Sequence, residues 1–92
     1  MIKTVRCKDT AALFAGKGVA RWVNLRNVAE RKLQMLNRAA RLDDLRVQPN
    51  NRLELLKGDR AGLHSIRLND QWRLRFELDG ASAYDVEIVD YH

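Results

Sequence analysis

The sequence contains few of the residues that cross-link a chain, break its regular structure or carry it through a membrane. Its 92 residues include one cysteine, Cys7, and one proline, and no apolar run approaches the roughly 20 residues of a membrane-spanning helix. A lone cysteine excludes an internal disulfide and argues against a structural zinc site, which needs four ligands. The first residues also lack the apolar stretch of a signal peptide. We therefore expect a cytoplasmic protein that makes no contact with a membrane and needs no metal or cofactor.

The chain is also too short to divide into two units. A core of this size buries only roughly 60% of the surface of the unfolded chain, so residues 1–92 are predicted to form a single domain. Hydrophobic residues make up 46% of the sequence and only five residues are glycine, which is the composition of an ordinary folded protein.

Positive charge is in excess, but it is unevenly distributed. The formal net charge is +5. Residues 1–46 carry eleven basic and four acidic groups, residues 47–75 carry six and three, and residues 76–92 carry none and five. A polarised basic surface attracts polyanions, so RNA or DNA is the leading class of partner. A solvated, arginine-rich helix face would explain the same count, and charge alone leaves both interpretations open.

The first half of the chain is predicted to contain one strand followed by two helices. Ile2 to Arg6 alternates weakly and predicts the strand. Asp9 or Thr10 is placed to cap a short helix that ends near Gly16. From Leu25 onward, apolar residues recur at steps of three and four, which predicts a helix of roughly four turns. That apolar stripe consists of Val28, Ala29, Leu33, Leu36 and Ala40. Just before this helix, Trp22 is predicted to pack against the core.

After the proline the period changes to two, which predicts a sheet. The predicted strands are Arg52 to Leu56, His64 to Asn69, Trp72 to Leu78 and Tyr84 to Val89. The fold class is therefore α+β, in which an N-terminal strand and two helices pack on one face of a mostly antiparallel, twisted sheet. The other face of the sheet is left partly open.

That open face is predicted to carry a cluster of arginines. Arg67, Arg73 and Arg75 have the parity opposite to the apolar residues of their strands, so we expect their side chains to point away from the helices. Together with Lys57 and Arg60 of the neighbouring loop, they would form a patch suited to phosphate groups.

The second half of the chain resembles a known family. The loop Leu56–Gly62, the strand segments Ser65-Ile66-Arg67 and Trp72-Arg73, and the ending Val86–His92 are similar in order and spacing to HigB toxins of the RelE/ParE superfamily. The resemblance extends over nearly the whole chain and implies a RelE-like fold. It further implies the toxin of a type II toxin–antitoxin system, which cuts messenger RNA in the decoding site of the ribosome. The implied partners are the ribosome with its small-subunit RNA and a HigA-like helix-turn-helix antitoxin. The toxin would associate with operator DNA only through this antitoxin.

The resemblance also points to particular residues. Asp90, Tyr91 and His92 match the family's C-terminal functional triplet, Arg73 matches its arginine on the catalytic face, and Lys57 matches a basic residue near the substrate.

Two positions depart from the family's pattern. Glu54 stands where related toxins can have a histidine, and Gln71 stands where an asparagine can occur. We place Glu54 in the candidate catalytic set with Arg73 and the C-terminal triplet. The candidate RNA- and ribosome-binding set is Lys57, Arg60, Arg67, Gln71 and Arg75.

These residue types suit RNA cleavage because RNA carries its own nucleophile, the 2′-hydroxyl group. With an ordinary pKa near 6.5, His92 can exchange protons at neutral pH, and Arg73 and Lys57 can stabilise the charge that develops on the phosphate. Tyr91 can stack on a base or donate its hydroxyl group. Asp90 can orient His92 or accept the proton of the 2′-hydroxyl, so the identity of the general base stays open.

Two other classes of protein remain as alternatives. One is a ParE-like toxin directed against DNA gyrase, and the other is a non-catalytic basic module that binds nucleic acid. His92 together with Arg73 favours cleavage over gyrase poisoning. A binding module should present stacking aromatic residues on its open face. In this sequence the aromatic residues of the sheet share the parity of the core aliphatic residues, which predicts that they are interior; they are Trp72, Phe76 and Tyr84.

The helical side is the predicted contact surface for the antitoxin. Arg26, Arg31 and Arg38 fall mostly off the apolar stripe of the long helix, so they are available to meet an acidic segment of a partner.

Overall fold

The computed structural model describes residues 1–47, 49–55 and 62–90, which form a layer of helices on one face of an antiparallel sheet. The helices are α1 (Lys8–Phe14), α2 (Arg26–Arg38) and α3 (Leu42–Arg46), with 3₁₀ turns at Ala20–Trp22 and Pro49–Asn51. The strands are β1 (Glu54–Leu55), β2 (Leu63–Arg67), β3 (Trp72–Asp79) and β4 (Ser82–Asp90), hydrogen-bonded in that order. The predicted α+β class is confirmed. No helix in these described ranges is long and apolar enough to cross a membrane.

The core lies between α2 and the sheet. Helix α2 buries residues at steps of three and four, as its apolar stripe predicts. The sheet contributes alternate residues from β2, β3 and β4. Trp22, only 1% exposed, packs edge-on against Trp72 with ring centroids 5.8 Å apart. The predicted packing of Trp22 against the core is therefore confirmed.

The N-terminal segment does not form the regular strand predicted for it. Ile2 and Val5 make isolated parallel bridges to Ala83 and Val86 of β4. Those two residues of β4 are three apart and both buried, because an extra residue, Asp85, with φ of 53°, interrupts the alternation. The N-terminal segment follows this irregular edge, so its own apolar residues are spaced by three rather than by two.

The predicted cap of α1 is also wrong. The helix begins at Lys8, and Thr10 is completely buried instead of capping it. The Thr10 hydroxyl accepts a hydrogen bond from the backbone N–H of Ile88 at 3.1 Å. A buried backbone amide at a sheet edge must find an acceptor, and here a threonine of the helix layer supplies it.

The first predicted strand after the proline begins later than expected. Among the described residues of this segment, Glu54 and Leu55 pair with β2, and Leu55 is 60% exposed rather than packed beside Leu53. Leu56, the last residue of the predicted strand, lies outside the described residues. Arg52 has φ of 45°, a left-handed conformation that cannot continue a strand. The chain therefore turns sharply just before β1.

One aromatic residue of the sheet faces the other way from its prediction. Phe76 is buried and Trp72 packs against the core, as expected, but Tyr84 lies directly opposite Glu77 on the open face. The extra residue at Asp85 shifts the parity of β4 on either side of it, so Tyr84 no longer shares a face with Val86.

Replacing Thr10 with valine should destabilise the protein by about 2 kcal/mol, since the buried amide of Ile88 loses its acceptor while the side-chain volume is kept. Thr10→Ser retains the hydroxyl and should lose only the packing of one methyl group, about 1 kcal/mol. Urea unfolding of the two variants measures both values. A valine variant at least as stable as the serine variant would show that the hydroxyl does not support β4.

Candidate active site

A pocket of about 210 Å³ lies at the end of the sheet where β1 and β2 meet the start of β3. It is lined by Arg52, Glu54, Arg67, Asn69, Asp70 and Arg73. Three of these, Glu54, Arg67 and Arg73, are site residues predicted from the sequence. Strand pairing explains why they meet, because Arg67 is opposite Arg73 and Glu54 is opposite the next outward residue of β2, Ser65.

Arg73 forms the floor of this pocket. Its side chain is on the face predicted, yet the residue is only 5% exposed. Its Nε donates to Ser65 Oγ at 2.8 Å, and its Nη2 donates to the backbone oxygens of Arg52 at 2.6 Å and Ser65 at 3.2 Å. These bonds hold the guanidinium in one orientation, so that a cation is fixed beneath the space where an anion can enter.

Glu54 supplies a carboxylate beside this cation. Its Oε1 lies 3.9 Å from Arg73 Nη1, which is an ion-pair distance but too long for a hydrogen bond. The Glu54 side chain is 45% exposed. A carboxylate that is steadied by a fixed cation and still open to solvent can accept a proton from a bound molecule.

Arg67 adds a second guanidinium to the wall of the pocket. It pairs with the carboxylate of Asp70, three residues along the chain, and Asp70 is almost fully exposed. Ion pairs with an exposed partner contribute little stability. A phosphate group that enters the pocket can therefore replace Asp70 as the partner of Arg67 at small cost.

Arg75 lies on the same face but outside the pocket lining. It is opposite Glu87 in the β3–β4 ladder, and their side chains form an ion pair in which both groups are partly buried. The charge of Arg75 is therefore balanced within the sheet.

Asp90 and Gln71 meet at the end of β4. Gln71 Nε2 donates to Asp90 Oδ2 at 3.1 Å. In the ladder Asp90 is opposite Trp72, which packs on the helix side, whereas Arg73 is opposite Val89. Alternation thus places Asp90 and Arg73 on opposite sides of the sheet.

Four predicted site residues lie outside the described residues: Lys57, Arg60, Tyr91 and His92. Their roles stay predictions from the sequence. The described part of the site supplies the fixed cation of Arg73, two further arginines and the carboxylates of Glu54 and Asp70.

Three residues that shape the pocket were not predicted from the sequence. Arg52 offers its backbone oxygen to Arg73 only because of its left-handed φ, which no pattern in the sequence signals. Ser65 could have been found, since it is a small polar residue with the outward parity of the arginines. Asn69 accepts the backbone N–H groups of Gln71 and Trp72 at 2.9 and 2.8 Å, as an asparagine at the start of a tight turn commonly does.

The chain is similar in sequence to a family of known proteins. Residues 19–92 match the family described as the RelE-like toxin of the type II toxin–antitoxin system HigB. The chain is 35% identical over 94 aligned positions to "Endoribonuclease HigB" of Proteus vulgaris, with all of both chains covered. It is 43% identical over 60 residues to "Toxin HigB-1" of Vibrio cholerae, covering 64% of this chain and 63% of that relative.

Ser65→Ala should destabilise the protein by about 2 kcal/mol, because the buried Nε of Arg73 loses its acceptor. Ser82→Ala, at a half-buried position of β4, is the matched control and should change stability by about 0.5 kcal/mol or less. Thermal and urea unfolding measure both. Equal stabilities of the two variants would show that Ser65 does not hold the guanidinium.

Proposed function

The chain belongs to the HigB-like toxins, which are RelE-like toxins of type II toxin–antitoxin systems, and on this premise we propose that it is an endoribonuclease that cuts messenger RNA on the ribosome and so stops translation. The name of the full-length relative supports the activity. The observation that carries the proposal is the buried guanidinium of Arg73 at the floor of a pocket that also holds Glu54 and Arg67. The ribosome places this activity in the cytoplasm.

The scissile phosphate would sit over Arg73 and beside Arg67. Attack by the 2′-oxygen places extra negative charge on the phosphate oxygens, and the cations of Arg73 and Arg67 would stabilise that charge more than they stabilise the starting phosphodiester. The contacts of Arg73 to Ser65 and to the Arg52 oxygen are already made, so its guanidinium does not need to reorganise during the reaction.

Glu54 is the proposed general base. Two carboxylates line the pocket, and that of Asp70 is paired with Arg67 at the exposed rim, whereas that of Glu54 lies next to the buried cation. Glu54 takes the proton of the 2′-hydroxyl as its oxygen bonds to phosphorus. The bond to the 5′-oxygen then breaks, and His92 donates the proton that this leaving oxygen needs. The products are a 2′,3′-cyclic phosphate and a 5′-hydroxyl, and none of these steps requires a metal.

Dependence on the ribosome is supported by how little binding surface the pocket offers. It is small and open, so the alignment of the 2′-oxygen with the leaving oxygen must come from elsewhere. The ribosome holds the message in a fixed conformation, and the basic residues around the pocket would dock on the small-subunit RNA. Alignment by the ribosome would then supply much of the rate.

Primer extension on ribosome-bound messages tests this function directly. We expect cuts within the bound message that are absent from the same RNA without ribosomes. Parallel incubation of the protein with DNA gyrase tests the ParE-like alternative, which predicts cleaved DNA and intact messages. Binding of RNA without cuts in either assay would identify a non-catalytic module instead.

Glu54→Gln should lower the rate of cleavage on ribosomes roughly 100-fold, since the amide keeps the shape of the side chain but cannot accept the proton. Glu54→His should stay within about tenfold of the parent, because an imidazole also accepts a proton near neutral pH. The matched control is Glu77→Gln, on the same face but outside the pocket, which should cleave normally. Full activity of Glu54→Gln would assign proton transfer to another group.

The proposed antitoxin is a HigA-like helix-turn-helix protein that docks on the helical side and alone contacts operator DNA. A groove of about 440 Å³ runs along α2 toward α3 and is lined by Arg31, Gln34, Met35, Arg38, Ala39 and Asp44. The Asp44 carboxylate accepts the N–H groups of Ala40 and Arg41, so it is engaged in capping α3. Two exposed arginines over the apolar surface of Met35 and Ala39 favour a partner segment that is both acidic and apolar.

Arg38→Glu should weaken binding of the antitoxin about tenfold or more, because it places a like charge opposite an acidic segment. Arg46→Glu reverses a charge on α3 outside the groove, where Arg46 pairs with Asp43, and should leave binding nearly unchanged. Calorimetric titration with the purified antitoxin measures both affinities. Similar losses for the two variants would place the contact on another surface.

A further inference from the structure

Lys32 is a buried cation on the helix layer beneath the proposed active site. It shares the buried stripe of α2 with Ala29, Leu33 and Leu36 and is only 5% exposed. Its Nζ donates to the backbone oxygen of Arg67 at 2.7 Å, and the oxygen of Asn50 lies 3.5 Å away. Within the described ranges, no carboxylate forms an ion pair with it.

The two oxygens that Lys32 contacts belong to segments that build the pocket. Arg67 is the last residue of β2. The residues of β2 that pair with β1 are His64 and Ser65, so the β1–β2 pairing does not extend to the backbone oxygen of Arg67. Asn50 lies in the 3₁₀ turn two residues before Arg52. A single ammonium group therefore joins the end of β2 to the turn that leads into β1. Arg73 contacts the same region from within the sheet, because its Nη2 donates to the backbone oxygens of Arg52 and Ser65.

The electrostatic surroundings of Lys32 are unfavourable to its charge. Burial lowers the pKa of Lys32, and the neighbouring charges of Arg31, Arg67 and Arg73 lower it further. An apolar side chain of similar volume would avoid this penalty but would leave the oxygens of Arg67 and Asn50 without their donor. The lysine therefore stands at an electrostatic cost, and the contacts that it makes in return lead directly to the pocket.

We propose that Lys32 is a positioning residue of the active site, which holds the end of β2 and the turn before β1 at the spacing that lets Arg67 and Arg52 flank the scissile phosphate. The proposal rests on the proposed ribonuclease function. It assigns Lys32 no contact with RNA, because the side chain is enclosed between the helix layer and the sheet edge.

Lys32→Met tests the proposal because it keeps the length of the side chain and removes its charge and its donors. We expect the variant to fold and to melt near the temperature of the parent, because relief of the buried charge offsets the hydrogen bonds lost by the Arg67 and Asn50 oxygens. Its kcat for cleavage on ribosomes should fall about tenfold or more while KM changes less than about twofold, since geometry is lost rather than affinity. The matched control is Lys17→Met, the same substitution at an exposed position, which should cleave as the parent does.

A double variant distinguishes positioning from a general loss of structure. If Lys32 acts through Arg67, then Lys32→Met combined with Arg67→Ala should lose little more activity than Arg67→Ala alone. Losses that multiply in the double variant, or a Lys32→Met variant that cleaves normally, would overturn the proposal.

Amide hydrogen exchange tests the positioning role of Lys32 without a measurement of RNA cleavage. In Lys32→Met, exchange should accelerate about tenfold for residues 50–55 and 66–69, while the amides of β4 keep the rates of the parent. Failure of the parent protein to cut RNA would refute the proposed function and leave this measurement valid. Unchanged exchange in those two segments would refute the role of Lys32 whatever the activity.

Discussion

The guanidinium of Arg73 is the group on which the pocket depends. It is buried and donates to the hydroxyl and backbone oxygen of Ser65 and to the backbone oxygen of Arg52, with the Glu54 carboxylate at ion-pair distance. A buried cation needs these bonds, so β2, β3 and the turn before β1 are held at the distances that the bonds require. The same bonds orient the charge toward the pocket. The fold and the proposed chemistry therefore rest on one set of contacts.

Charge distribution within the sheet supports this arrangement. The five acidic residues of the segment 76–92 all lie on β3 and β4, where Glu87 balances Arg75. The pocket itself is lined by three arginines and two carboxylates, which leaves an excess of one positive charge. The chain thus separates an acidic part of the sheet from an end where a phosphate group is favoured.

The sequence predicted those features that depend on periodicity alone. The stripe of α2 and the alternation in β2 and β3 were sufficient to place Arg67 and Arg73 on the open face. Alternation does not report burial, however, and Arg73 is enclosed because Arg52 adopts a left-handed conformation and brings its oxygen over the guanidinium. One inserted residue, Asp85, likewise reverses the face of Tyr84. Single residues with unusual φ values do not change the hydrophobic periodicity of the sequence. Neither the burial of Arg73 nor the orientation of Tyr84 could therefore be predicted from the sequence.

Helix α2 links the two surfaces to which functions are assigned. Its exposed side carries Arg31 and Arg38 along the groove proposed for the antitoxin, and its buried side carries Lys32, which contacts the end of β2 beneath the pocket. The hydrogen bond from Lys32 Nζ to the Arg67 oxygen therefore connects the helix that carries the proposed groove with the strand end that lines the proposed RNA pocket. Among the described residues, the groove and the pocket share no lining residue, so this contact joins two surfaces that are otherwise built from different parts of the chain.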